Sequence, residues 1–232
     1  MRFYGPWALE RGPCPYLPDR RWRSVSLEVE DLEPEEFQRL LEAGYRRSGA
    51  EFYVPRCEAC AECVSLRLPV ERFAPGRTQR RVWRKNQDLE VHQVEPGCTG
   101  ERLELYRRYL AGRFGRVELP GPREFEEFLG PRFACAVQLD YRLDGRLVGF
   151  GILDVTPEAA SSVYFVHDPD LPERRLGTYS VLREVDWCRR SGRGHLYLGL
   201  WVRECRSMTY KGSFGPHEVL VPGQGWREPG GQ

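Results

Sequence analysis

Between Ser161 and Val202 the chain reads SSVYFVHDPDLPERRLGTYSVLREVDWCRRSGRGHLYLGLWV. A strand, a turn holding Gly177, a helix running to about Arg190 and a second strand follow one another without a linker. Two further strands precede them, FACAVQLDYR and RLVGFGILDV, joined by the turn LDGR, which is a hairpin signal. This order constrains the fold more than any other feature of the chain. It predicts a mixed α/β (α+β) domain in which the strand before the glycine turn and the strand after the helix splay apart. Backbone donors then lie beside a helix N-terminus, where negative charge is favoured.

That order is the acetyltransferase-like (GNAT- or Fem-like) one. The usual turn is Arg/Gln-x-x-Gly-x-Gly/Ala. Here Arg174-x-x-Gly177-x-Tyr179 matches two positions and misses the third. A tyrosine at that place is expected to crowd a pyrophosphate, which argues against coenzyme A.

Upstream, Met1 to about Arg23 shows no period and is read as irregular. A strand follows at Ser24–Glu30, then a helix opened by Pro34 and ended by Gly44. Val64–Val70 alternates as a strand, and Thr78 is a plausible N-cap for a helix TQRRVWRKN. A strand LEVHQV, a helix ending at Gly115 and a shorter helix after Pro122 complete this half. MTYKGSF reads as turn or short helix and HEVLV as a last strand. The expected organisation is a cysteine-containing region 1–70, a basic and helical connection 71–131, an acetyltransferase-like domain 132–226 and a frayed tail 227–232. The first part is a candidate for a degenerate second copy of the same unit.

Two clusters carry chemistry. Cys57, Cys60 and Cys63 form C-x2-C-x2-C, and Cys14 can supply a fourth thiolate. Four thiolates suit zinc or an iron–sulfur cluster. Cys98, Cys135, Cys188 and Cys205 are read as inert. The second cluster is Arg72, Arg77, Arg80, Arg81, Arg84 and Lys85, uninterrupted by an acid and interleaved with Gln79 and Trp83. Spacings of three and four place much of that charge on one helical face, suited to phosphate contacts and base stacking. Formal net charge is only +1, so such contacts must be local. Of 35 basic residues only Lys85 and Lys211 are lysines, which marks both positions. No apolar run approaches the ~20 residues of a membrane span, and the N-terminus lacks a secretory apolar region, so a cytoplasmic chain is expected.

At these residues the chain resembles a known family. RRSGAEFYVPRCEACAECVSLRLPVERFAPGRTQRR, SSVYFVHDPDLPERRLGTYSVLREVDWC and YLGLWVRECRSMTYKGSFGPHEVL are similar to the aminoacyl-tRNA–protein transferases, and the length is similar to the bacterial aspartate/glutamate leucyltransferases. The resemblance implies transfer of an amino acid, leucine before arginine, from its tRNA to the α-amine of a protein beginning with Asp or Glu, marking it for N-degron degradation. It implies tRNA and acceptor proteins as partners, no cofactor for the chemistry, and a metal or iron–sulfur cluster on Cys14, Cys57, Cys60 and Cys63. A monomer is expected. The tRNA end is assigned to Arg77, Gln79, Arg80, Arg81, Lys85, Arg174, Gly177 and Thr178. Asp168 and Tyr164 are assigned to the acceptor amine, with Arg183 beside them. Arg183, Tyr210 and Lys211 are assigned to the acceptor's acidic terminus. The alternatives are an arginyl-tRNA–protein transferase, a coenzyme-A-dependent N-acetyltransferase and a non-enzymatic zinc-dependent RNA-binding module.

Overall fold

The computed structural model describes residues 2–130 and 136–230. Cys135 and the first residues of the strand expected from Phe133 lie outside the described residues. The chain divides into two compact units, 1–74 with 156–161 and 188–232, and 75–155 with 162–187.

The first unit opens with a strand where the sequence shows no period. β1 (Arg2–Pro13) pairs antiparallel with β2 (Arg21–Asp31). The sequence hides β1 because most of its residues are exposed on both faces, and three register shifts break its alternation. With β3 (Arg46–Ser48) and β4 (Glu51–Pro55) these strands form an antiparallel sheet in the order β1-β2-β4-β3. α1 (Pro34–Glu42) starts at Pro34 as expected, and Gly44 at φ 86° ends it by adopting a left-handed conformation that costs a glycine little. β5 (Val64–Pro69) pairs antiparallel with β10 (His195–Trp201), and β11 (Glu218–Val221) and β12 (Gly225–Arg227) extend the order beyond β5. The short β12, held by its pairing with β11, ends at Arg227, the first residue of the tail expected to fray.

The second unit carries α2 (Arg77–Lys85), β6 (Glu90–Val94), α3 (Gly100–Phe114), α4 (Pro122–Leu129), β7 (Ala136–Leu143), β8 (Arg146–Val155), most of β9 (Ala159–His167) and most of α5 (Leu176–Arg190). Asp144 and Gly145, both at positive φ, close the β7–β8 hairpin as LDGR predicts. α2 begins one residue before Thr78. Gly76 is its N-cap, and the Gln79 side chain reaches back to accept the Gly76 N–H at 2.8 Å. The core of this unit packs α3 and α4 against β8 and β9 through Leu105, Tyr106, Leu110, Phe125, Phe150 and Ile152. Complete burial of a side chain of this size is worth ~1.5–3 kcal/mol.

β9 is shared. Its first three residues pair parallel with β10: His195↔Ala159, Leu196↔Ala160 and Tyr197↔Ser161, where the ladder ends. The pairing stops short of the end of either strand, and the order of strands around α5 is the acetyltransferase-like one expected.

Asp168, the residue after β9, is fully buried. Arg108 from α3 donates to its Oδ1 at 2.6 Å and Arg146 from β8 to its Oδ2 at 2.6 Å, while the Asp170 N–H adds a bond at 3.1 Å. Burial pushes this carboxyl upward, but the Asp170 N–H and the two guanidiniums outweigh it and hold it below the ordinary carboxylate range. Asp168→Asn leaves two guanidiniums facing one amide, and is expected to lower stability by about 2–3 kcal/mol at neutral pH, toward the lower end for a buried pair because both arginines are partly exposed. Denaturant unfolding checks this. The difference should close only in strong acid, where Asp168 itself takes up a proton.

Candidate functional site

The cations of α2 lie on one face, as their spacing predicts. Arg77, Arg80, Arg81, Arg84 and Lys85 are exposed, while Val82 and Gln79 are buried. Gln79 therefore caps its own helix and is removed from the set offered to phosphate: its side chain faces inward. Among the described residues Arg77, Arg81 and Arg84 form no ion pair. Arg80 donates to the Pro75 carbonyl at 2.5 Å, and Lys85 donates to the Glu173 carbonyl at 2.9 Å.

The C-terminal end of α2 is fastened to the turn that precedes α5. Buried Asn86 donates through Nδ2 to the carbonyls of Val82 and Arg174, each at 2.9 Å. Arg174 grips Asp88 with two bonds, at 2.9 and 2.8 Å, which hold the Asp88 carboxyl below its usual range. Arg174 is thus a clamp within the protein rather than an exposed phosphate ligand. Its effect is to set the basic face of α2 beside the first turn of α5. A Cβ at Gly177 would meet nothing within 4 Å, so the backbone there is open to close approach. Exposed Arg175, left-handed at φ 53°, stands just before that turn. Asn86, Asp88 and Arg175 were not singled out in the sequence, because nothing in their spacing signals a contact with a turn 88 residues away.

Tyr179 does not crowd this opening. It is 1% exposed and packs against Trp83 and Tyr141 at ring distances of 5.7 and 6.1 Å. The sequence objection to a phosphate at this turn is overturned, because the side chain points into the core. Arg183, one turn later, stacks on Trp83 at 5.3 Å, with its Nε buried and without a hydrogen-bond partner among the described residues.

Two of the residues assigned to the acceptor amine are otherwise engaged. Both oxygens of Asp168 are taken by Arg108, Arg146 and Asp170. Tyr164 packs edge-on against Tyr106, Tyr109 and Phe128, and burial raises its hydroxyl above the ordinary tyrosine range, so it stays protonated. Neither geometry offers a base. A second carboxyl is placed differently. Glu184 on α5 is 1% exposed, lacks any hydrogen bond of normal geometry, and is pushed up to about 7 by burial. The signal was available: Ser180, Glu184 and Cys188 follow at helical spacing on one buried face, where a glutamate is out of place.

In the first unit Lys211 is buried. Its Nζ donates to the carbonyls of Leu198 at 2.8 Å and Leu200 at 2.6 Å. These flank Gly199, which sits at φ 72° where β10 shifts register against β5, and a Cβ there would collide with the Arg46 guanidinium. Burial, then Arg46, brings the Lys211 amine down to about 7. This ammonium braces β10 from inside, so an acceptor carboxylate has no ion-pair partner there. Tyr210 next to it is 45% exposed, with its ring 6.3 Å from Phe214.

The thiols gather for a reason visible in the sheet. The loop after β1 and the loop after β4 emerge at the same edge, where Pro13 faces Arg21 and Ser24 faces Pro55. Cys14, Cys60 and Cys63 pack there around Leu17, Val202 and Cys205. The Cys63 thiol is pushed up to about 12 by burial, and then by Cys14, Cys57 and Cys60. Arg20 donates to Cys60 Sγ at 2.9 Å and the Arg23 N–H to Cys57 Sγ at 3.4 Å. The donors suit a thiophilic metal, although among the described residues no three side chains converge as ligands of one ion.

Comparison with known proteins agrees with this arrangement. The family profile described as arginine-tRNA-protein transferase, N terminus, matches residues 12–81, and the C-terminal profile matches residues 101–221. An aspartate/glutamate leucyltransferase of Chromohalobacter salexigens is 38% identical over 219 residues, covering 92% of this chain and 88% of that protein. One from Halorhodospira halophila is 40% identical over 222 residues, covering 92% of each. Among solved structures, a DUF2156 domain from Agrobacterium fabrum, assigned to a lysylphosphatidylglycerol synthetase, superposes with a TM-score of 0.52 at 16% identity. That match covers 81% of this chain but only 63% of that one, so the likeness is one of fold. With both profiles matched in order and relatives of this identity along nearly its whole length, the chain belongs to the arginine-tRNA-protein transferase family.

Proposed function

We propose that this protein transfers leucine from leucyl-tRNA to the α-amine of polypeptides that begin with Asp or Glu. The observation that carries this reading is the likeness, over 92% of the chain, to relatives named aspartate/glutamate leucyltransferase. The product's new N-terminus then serves as a degradation signal in the cytoplasm, and the protein acts as a monomer.

The chemistry asks little of a cofactor. The donor ester is already activated, and an α-amine with a pKa near ~8 is partly neutral at pH 7. Holding ester and amine in line can supply ~7–11 kcal/mol in favourable cases. The exposed cations of α2 grip the acceptor end of the tRNA, and the open first turn of α5 at Gly177 and Thr178 receives its terminal phosphate. Arg183, with a buried donor unused, pairs with the acidic side chain of the acceptor, and Tyr210 contributes to the same terminus.

Purified protein given an Asp-starting peptide with leucyl-tRNA, arginyl-tRNA or acetyl-coenzyme A in parallel should label the peptide with leucine. Labelling by arginine alone, or by acetyl, overturns the assignment. In the same assay Arg183→Met should lose most of the preference for Asp over Ala at the acceptor terminus, and retained preference clears it.

The paired change Arg80→Ala and Arg81→Ala should weaken tRNA binding and reduce the slope of log affinity against log salt by about 1–2, as expected for two lost phosphate contacts. An unchanged slope places the tRNA elsewhere.

Cys14, Cys57, Cys60 and Cys63 hold a zinc ion or an iron–sulfur cluster that ties the two loops together and takes no part in transfer. Metal analysis and a visible spectrum of protein isolated without oxygen should find one or the other. A joint Cys60→Ser and Cys63→Ser variant should lose it and melt lower, and metal-free wild-type protein of full stability sinks the idea.

A further inference from the structure

The first unit holds an open cavity of about 650 Å³ between the end of α1, the start of β5 and the β11–β12 hairpin. A hollow of that size takes a small organic group whole. Its most deeply buried lining is aliphatic, with Val54 at the end of β4 and Leu200 on β10. Half-buried Val64, Leu220 and Val221 continue that surface, and the thiol loop after β4 closes another side.

These walls are fastened to one another. The Trp226 indole on β12 donates to the Glu42 carbonyl at the end of α1 at 3.0 Å. The Ser65 hydroxyl on β5 donates to the Gly44 carbonyl at 3.0 Å, so its proton is already engaged. Leu220 lies against Gly44 so closely that a Cβ there would come within 2.6 Å of it. The aliphatic surface is therefore preformed, and an occupant does not have to order it.

Charge on the lining is confined to Glu42 and Arg56, both exposed and of opposite sign, so the rim selects neither a cation nor an anion. Deeper in the hollow an ionic group would give up water against carbon, with no counter-ion in reach. An arginyl side chain is disfavoured there, as is the carboxylate of an acceptor that begins with Asp or Glu. A branched aliphatic side chain gains contact at no such cost. Leu200 stands three residues past Tyr197, the last residue of β10 paired with β9, so the hollow is lined by the strand that carries the break in pairing.

We propose that this hollow binds the leucyl side chain of the donor, and that its aliphatic lining selects leucine over arginine. The inference rests on the aminoacyl-transfer reading.

Leucinamide, which carries the side chain without the tRNA, is the direct probe. Titrated to millimolar concentration into protein with 13C-labelled leucine and valine methyl groups, it should shift the signals of Val54, Leu200, Leu220 and Val221. Argininamide should not. Ala61→Trp, at an exposed position of the lining, should fill the hollow and abolish the shifts. Transfer to an Asp-starting peptide reads the same pocket as a ratio, which a general loss of activity leaves unaltered. With one tRNA charged with leucine or with alanine, wild type should favour leucine about 100-fold in kcat/KM, and Ala61→Trp should bring the ratio near to unity. No methyl shifts with leucinamide, shifts only outside the hollow, or a wild-type ratio in Ala61→Trp overturns the pocket. So do equal shifts with argininamide, or shifts caused by the Asp-starting peptide and not by leucinamide. Wild-type protein that moves no amino acid from tRNA, yet shows the leucinamide shifts in the hollow, fails the transfer reading while the leucine site stands.

Discussion

The parallel pairing of β9 with β10 lasts for three residue pairs, and the main chain beyond it is satisfied differently on each strand. Each strand instead satisfies itself by other means. On β10 the very next residues take a bulge at Gly199, and Lys211 supplies two N–H donors to the carbonyls around it. On β9 the next residue is the half-buried Ser162. Two buried titratable groups, Lys211 in the turn that follows β10 and Glu184 on α5, are each brought to about 7 by desolvation.

The contrast between Asp168 and Glu184 shows how environment sets two buried carboxyls apart. Both are buried. Asp168 is ringed by two guanidiniums and a main-chain N–H, stays ionised and is fixed. Glu184 has only a serine hydroxyl to favour its charge. A carboxylate held by arginines is a poor proton acceptor, because giving up its charge breaks the pairs. One that is poised near neutrality is a good one.

Much of the architecture was legible in the chain. Pro34 and Gly44 bracket α1, LDGR closes the β7–β8 hairpin, and the α2 cations fall on the face their spacing requires. These are local effects: backbone conformation and amphipathic period act over a few residues. β1 was not legible, because an exposed edge strand with glycines and prolines carries no alternation. The site was read less well for a related reason. Gln79 looked like a phosphate ligand but bonds its own helix start. Tyr179 looked like an obstruction but turns inward. Arg174 looked free but is clamped by Asp88.

Residue spacing alone indicated that strand, glycine turn, helix and strand follow one another, that three thiols recur as C-x2-C-x2-C, and that one short helix is strongly basic. The family likeness is written at the same level. Tertiary structure decided which charged groups are available. Availability depends on partners distant in sequence, such as Arg108 and Arg146 for Asp168, or the Leu198 and Leu200 carbonyls for Lys211, and on burial, which only the packed chain imposes. A glutamate on a helix has an ordinary acidity until three strands close over it.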